Sequence, residues 1–284
     1  MTKKRSIILT VLLVIICAGI WLYAVTAQER LYQGRPLSAW LNDMENWNYD
    51  TNSPTFTIFR TFGTNALPDL LVALQQRSTR LEELAVKLNR MQSVVNFPSQ
   101  ETWRKRMAAA WAINSMGTNA LSALPVLTNL LFQTNAFDAG MALSGIGPEA
   151  LPALFQAVTN SDRRIRTAAI SSLSSETSNQ DQIVPVLLKR LDGGDKMLCE
   201  IVINSLGYLH SLPEIVVPAL ITNYVGTDEL LHNTIISSLT RFGTNAQSAI
   251  PLIKTAMEDR NETTRQFATN ALRQIDPELQ TQEK

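Results

Sequence analysis

The sequence predicts an all-α fold, a solenoid of stacked helix pairs, and three features of its spacing carry that expectation. Pro152, Pro185, Pro218 and Pro251 stand 33 residues apart. An apolar stripe travels with each proline: Leu151, Leu154, Phe155, Val158; Val184, Leu187, Leu188, Leu191; Val217, Leu220, Ile221, Tyr224; and Ile250, Ile253, Met257. Each set falls at i, i+3, i+4 and i+7, one face of an α-helix, with Lys254 the departure in the last. A glycine-led turn also recurs, at Gly63 to Pro68, Gly117 to Pro125, Gly147 to Pro152 and Gly243 to Pro251. The preceding helices repeat too, since Leu173, Leu206, Leu239 and Leu272 are 33 apart. A two-helix unit of this size cannot bury its stripe alone, so neighbouring units must stack.

Taken in order, Lys3, Lys4 and Arg5 precede Ile7 to Val25, a run of 19 residues without charge. As a helix this run approaches the roughly 30 Å of a bilayer core. Residues 1–27 are thus expected to form a basic cytoplasmic stub and a transmembrane helix over 7–25, with the body on the extracytoplasmic side. The alternative is a signal peptide cleaved near Ala27, leaving an exported or periplasmic body. Residues 28–53 are a linker with a short capping helix, where Ser38 caps and Trp40, Leu41 and Met44 share one side.

The array itself is expected over 54–276. Its first unit carries Phe59 and then Leu67, Leu70, Leu71 and Leu74; its second carries Ile113 and then Leu124, Leu127 and Leu131, with Thr128 in the fourth stripe position. Between them lies an insertion at about 75–100, where Leu81, Leu84, Ala85 and Leu88 keep helical spacing. From the anchor of the first helix to the proline is 12 residues in most units, but 9 from Leu143 to Pro152 and from Phe59 to Pro68. In each turn the glycine ends one helix in the left-handed conformation, and Thr or Asn caps the next. The proline is expected in that helix's first turn, where no N–H is missed. Asn261 to Ile275 reads as a first helix without a partner, and 277–284 as a polar tail.

The unit Asp162-Arg163-Arg164-Ile165-Arg166-Thr167-Ala168-Ala169-Ile170-Ser171-Ser172-Leu173, with the turn Gly147-Pro148-Glu149-Ala150-Leu151-Pro152, resembles the HEAT repeat in its short bacterial, phycobilin-lyase-like form. Tyr32-Gln33-Gly34-Arg35-Pro36-Leu37-Ser38-Ala39-Trp40-Leu41, with an insertion after the first unit, resembles exported or membrane-linked HEAT proteins of Verrucomicrobia-like bacteria. The resemblance covers about residues 31–276. It implies a right-handed α-solenoid of about six HEAT-like helix pairs and a binding scaffold.

Composition narrows the chemistry. Lys plus Arg and Asp plus Glu each number 25, which argues against a generally basic surface for nucleic acid. Of two cysteines, Cys17 lies in the apolar run, leaving Cys199 without a disulfide partner. His210 and His232 have no ligand-spaced neighbours for zinc, and no base is legible beside Cys199. Asp192 and Asp195 flank Gly193-Gly194 and read as turn residues. No nucleophile elbow, phosphate loop or dinucleotide fingerprint appears. The sequence therefore offers no catalytic, cofactor-binding or metal residue.

Its one suggestive polar feature is basic: Arg77, Arg80, Lys87, Arg90, Arg104, Lys105 and Arg106 with Trp103 beside them, outnumbering Glu82, Glu83 and Glu101. Such a patch would attract an acidic partner or anionic lipid heads. Its alternative is a solvated face laced with local ion pairs, and Arg163, Arg164 and Arg166 share that ambiguity. The function expected is a non-catalytic protein-interaction scaffold for a protein or peptide partner, held to the membrane through 7–25 and binding no nucleic acid. A phycobilin-lyase-like enzyme or enzyme accessory is the first alternative, marked by a bound chromophore, and a nucleic-acid-binding HEAT-like array the second.

Overall fold

The computed structural model describes residues 29–45, 54–91, 101–133, 135–176, 178–191, 194–226 and 229–278, together with Val14. It opens with a small hairpin in which β1 (Leu31–Tyr32) pairs antiparallel with β2 (Arg35–Pro36). Its two turn residues, Gln33 at φ 50° and Gly34 at φ 78°, have the left-handed backbone of the turn that suits a two-residue hairpin. Helix α1 (Leu37–Glu45) follows and buries Leu37, Leu41 and Met44. Ser38 does not cap this helix; it lies inside it, and its backbone N–H donates to the Glu29 carboxylate at 3.0 Å.

This N-terminal piece closes the end of the array. The Tyr32 ring lies 5.1 Å from Phe62, Trp40 meets the same ring edge-on at 5.7 Å, and the Tyr32 hydroxyl donates to Asp69 at 2.7 Å. Burial first, then that bond, pushes the Tyr32 hydroxyl up to about 12.

Helix pairs then succeed one another: α2 (Pro54–Phe62) with α3 (Leu67–Leu74), and, after the inserted helix α4 (Arg80–Met91), α5 (Glu101–Met116) with α6 (Leu124–Leu131). Next come α7 (Ala136–Ser144) with α8 (Leu151–Val158), and α9 (Arg163–Leu173) with α10 (Gln180–Leu188). The pairs α11 (Lys196–Leu209) with α12 (Pro213–Gly226) and α13 (Glu229–Arg241) with α14 (Ile250–Ala256) complete the run, and α15 (Glu262–Ile275) ends it. First helices pack in an unbroken row, α2 on α5, α5 on α7, and so on to α13 on α15. Each second helix packs on the first helix of the next unit. This is how a repeat buries a stripe it cannot cover itself.

The stripes sort by depth. Position i+3 is buried in every unit, from Leu70 to Ile253, and i and i+7 are buried in most, as Leu67 and Leu74 or Leu151 and Val158 show, although Leu124, Tyr224, Ile250 and Met257 are only partly buried. The i+4 residues Leu71, Phe155, Leu188 and Ile221 are also only partly buried. Thr128 and Lys254 depart from the pattern at this tolerant edge, and Lys254 is exposed.

The turns follow the expected glycines but not the expected caps. Gly63, Gly117, Gly147 and Gly243 all have positive φ. Each leads into a tight 3-10 turn, after which α3, α6, α8 and α14 start from Ala66, Ala123, Ala150 and Ala249, with no side-chain cap. Because the turn is already right-handed helical backbone, its own carbonyls meet the first N–H groups, as when Ala66 N–H donates to Gly63 O at 3.3 Å. Proline falls in the first turn of those four helices, but Pro185 and Pro218 lie inside α10 and α12, which begin five residues before them. There the missing N–H falls within the helix.

The expected single-pass membrane location is corrected: among the described residues no helix is long and apolar enough to cross a membrane. That finding bears on the anchor and not on the exported or periplasmic alternative. Helix α5, at 16 residues, would reach only about 24 Å and opens on the charged stretch Arg104 to Arg106. The run 7–25, apart from Val14, lies outside the described residues, as do Asn46 to Ser53, Asp192 and Gly193.

Candidate functional site

A groove of about 630 Å³ opens beside the C-terminal ends of the first helices α5, α7 and α9, within the range of sites that hold sizeable ligands. Close helix approach builds it. A Cβ on Gly145 would stand 2.2 Å from the Asn114 carbonyl oxygen, and one on Gly140 2.4 Å from Ser172 Oγ. Asn114 stitches α5 to α7 by donating from Nδ2 to Met141 O at 2.9 Å and to Ser144 Oγ at 3.1 Å.

Along the walls, Ser115 Oγ donates to Ala112 O at 2.7 Å, Ser144 Oγ to Met141 O at 2.9 Å and Ser172 Oγ to Ala168 O at 2.7 Å. Each hydroxyl proton is thus turned back onto its own helix. Trp111, Phe137 and Met141 supply an apolar side, with Phe137 47% exposed.

Two opposite charges complete the lining. Arg60 on α2 is anchored by Nε, which donates to Ser115 O at 2.7 Å, and its terminal nitrogens meet no acceptor among the described residues. Glu176, in the turn after α9, is only 7% exposed, yet pairs with no cation there. Among the described residues its carboxylate takes one hydrogen bond, accepted by Oε1 from Ser178 N–H at 2.8 Å. None of these residues stood out in the sequence. Lone serines and a lone glutamate carry no motif, and the signal that could have found them is the crowding of Ser171, Ser172, Ser174, Ser175 and Ser178 around one acid.

The expected basic patch divides. Arg106 is drawn into the fold: Nε lies 2.9 Å from Asp138 Oδ2, both side chains are largely buried, and Nη1 donates to Gln76 O at 3.2 Å. Burial dominates at Asp138 and raises its carboxyl above the ordinary value, against the pull of the Arg106 hydrogen bond and charge. Arg77, Arg80, Lys87, Arg90, Trp103 and Arg104 are exposed, and none of these cations forms an ion pair with a described residue. They share the insertion's surface with Leu81, Leu84 and Met91, each more than half exposed.

Helix α4 is fastened at its start by a capping box, with Thr79 N–H donating to Glu82 at 2.8 Å and Glu82 N–H to Thr79 Oγ1 at 3.2 Å. Glu82 also takes the Thr102 hydroxyl at 2.6 Å and the Thr102 N–H at 2.9 Å, tying α4 to α5. The Thr102 hydroxyl and the backbone bond from Thr79 hold the Glu82 carboxyl down at about 2. Lys105 is partly buried and lines a second cavity of about 370 Å³ with Arg30 and Asp69, where the N-terminal piece docks.

The other sequence candidates have structural partners. Arg163 and Arg166 each reach Asp195 at 3.5 Å, and Arg166 Nη1 also donates to Asn160 O and Ser161 O. Arg265, 99 residues later, repeats that carbonyl grip on Asp259 and Arg260. Asp195 accepts Leu198 N–H as the cap of α11. Cys199 is buried, His210 ends α11 in the left-handed conformation, and His232 stacks on Tyr224 at 3.9 Å. Among the described residues no group of three His, Cys, Asp or Glu could hold a metal.

This architecture is a HEAT-like helical repeat, the class in which a stacked row of helices forms one extended body. No family model matches the chain, and no curated protein sequence is similar to it. Its solved structural neighbours include Kap121p, with TM-score 0.53 at 13% identity over 84% of this chain. Kap121p bound to Pho4p gives TM-score 0.53 at 14% identity over the same share. The chain spans 29% of the length of these neighbours, and at such identity the likeness is one of fold.

Proposed function

We propose that this chain is a non-catalytic repeat scaffold that binds a protein partner, receiving a peptide segment in the groove along α5, α7 and α9. One observation carries the reading: a groove of about 630 Å³ that joins an apolar wall to two charges, Arg60 and Glu176, that form no ion pair with a described residue. A peptide offers those elements together, and helical repeats present them along a continuous surface. The neighbour Kap121p has been solved bound to Pho4p, which accords with a protein ligand for this fold. A scaffold rather than an enzyme is supported by the serine hydroxyls, which bond to helix carbonyls instead of to a base. The 30- to 33-residue units support assignment to the short form of the repeat.

The exposed face of the insertion, with Arg77, Arg80, Lys87, Arg90, Trp103 and Arg104, is proposed as a second contact area for an acidic stretch of the partner. Its cations form no ion pair with a described residue and stand beside exposed Leu81 and Met91, which favours this over a face of mutual ion pairs.

The groove reading is tested by placing a photo-cross-linking phenylalanine analogue at position 137 in the full chain within its native host. Position 267, whose native phenylalanine is 40% exposed on the terminal helix, serves as control. A discrete protein adduct at 137 and none at 267 is expected. The same adducts at both positions, or none at 137, would reject the groove as the binding site.

A further inference from the structure

We infer that the groove selects a basic residue, seating a lysine ammonium or arginine guanidinium of the bound peptide against the Glu176 carboxylate; this rests on the peptide-groove reading above. Three observations converge on it.

Glu176 is 7% exposed and accepts a single backbone hydrogen bond, yet no cation among the described residues pairs with it. A carboxylate withdrawn from water without a counter-charge is costly. The groove it lines leaves room for that charge to arrive with a ligand.

The surrounding hydroxyls point the same way. Ser115, Ser144 and Ser172 have each donated their proton to Ala112, Met141 and Ala168 carbonyls, and Ser144 Oγ already accepts from Asn114 Nδ2, so what they retain is acceptor capacity, most of it at Ser115 and Ser172. A wall of acceptors matches a group that only donates, and ammonium with three N–H bonds or guanidinium with five is such a group. A carboxylate, which can only accept, would leave the wall unmatched.

The third observation is the apolar side formed by Trp111, Phe137 and Met141, which suits the methylene stem of a long basic side chain. Arg60 lines the same groove with its terminal nitrogens unengaged, and repels a second cation there. The peptide's basic residue is therefore directed to Glu176, and an acidic residue or carboxyl group to Arg60.

The test selects a random decapeptide display library on the full chain, then measures synthetic copies of the selected peptides by calorimetry against wild type, Glu176→Gln and Phe137→Ala. The expected result is a shared Lys or Arg. Affinity should fall at least tenfold on Glu176→Gln and on replacing that residue in the peptide by acetyl-lysine or citrulline. The two changes together should lose little more than either alone, the signature of one coupled pair.

Peptides that lose affinity on Phe137→Ala but are indifferent to Glu176→Gln and to loss of their positive charge would overturn the inference and leave the groove reading standing. Selected peptides indifferent to Phe137→Ala as well, or no selected peptide at all, would overturn both. If Glu176→Gln does not fold, the neutralised peptide on wild type decides.

Discussion

Replacing Arg106 by alanine strands the Asp138 carboxylate, whose side chain is 6% exposed against 15% for that of Arg106. The pair is held at 2.9 Å, and Arg106 also reaches Gln76 O, so the change removes a charge partner and a bond across the insertion together. Breaking one side of a buried ion pair costs about 3–5 kcal/mol, because the remaining charge stays desolvated. We expect Arg106→Ala to lower stability by that amount in urea unfolding followed by helical circular dichroism. Asp138→Asn should cost less, since it removes the charge that burial penalises, and the double variant should be more stable than Arg106→Ala alone.

The pH dependence has a definite sign. The Asp138 carboxyl is raised in the folded chain, so in that window the folded state holds the extra proton. Its contribution is complete below the unfolded value of 3.8 and is lost as pH rises through the raised folded value. Without Arg106 the carboxyl rises further, and the penalty of Arg106→Ala should shrink as the pH is lowered towards 4. A loss under about 1 kcal/mol, or costs of the two single variants that simply add, would refute the buried-pair reading and return Arg106 to the surface patch.

Two further outcomes follow from other contacts. Gly145→Ala should cost about 1–3 kcal/mol in the same unfolding assay, because its Cβ would stand 2.2–2.6 Å from Asn114 backbone atoms that cannot swing aside; a neutral result would mean that α7 has room to shift. Glu82 is depressed to about 2, so its anchorage of α4 is present above the unfolded value of 4.5 and lost as pH falls from there towards 2. The hydrogen-exchange protection of the Arg80–Met91 amides, relative to their intrinsic rates, should fall across that window in wild type, whereas Glu82→Gln should already show reduced protection at neutral pH. Equal protection of both proteins at pH 7 would reject this account.

The repeat was legible because its information is periodic. A stripe such as Leu151, Leu154 and Val158 is stated again every 33 residues, and burial of its i+3 residue in each unit follows from helix geometry. The positive-φ glycines were legible for the same reason. The capping alanines were not, because a 3-10 turn that supplies its own carbonyls leaves no side-chain signature. The basic patch was misjudged at Arg106 because charge counts carry no depth: its partner Asp138 lies 32 residues away, about one repeat on, and meets it only when α5 and α7 stack. Glu176 and the serines were invisible for the converse reason: hydroxyls turned back onto their own helices, and a carboxylate with no ion pair among the described residues, leave no spacing to read.

That site also has an origin in the spacing. Only 9 residues separate Leu143 from Pro152, against 12 in the units that follow. The turn between α7 and α8 is correspondingly a three-residue 3-10 segment, where the turns after α5 and α13 have seven. Fewer atoms therefore stand over the end of α7 than over the end of α5, and Ser144 and Gly145, which lead into this short turn, line the groove. Gly145 lets α7 lie against the Asn114 backbone, so the shortfall opens at the surface instead of being absorbed by separation of the helices. This gap carries Glu176 at its edge with no cation among the described residues paired to it, and that cost is what a basic ligand would relieve.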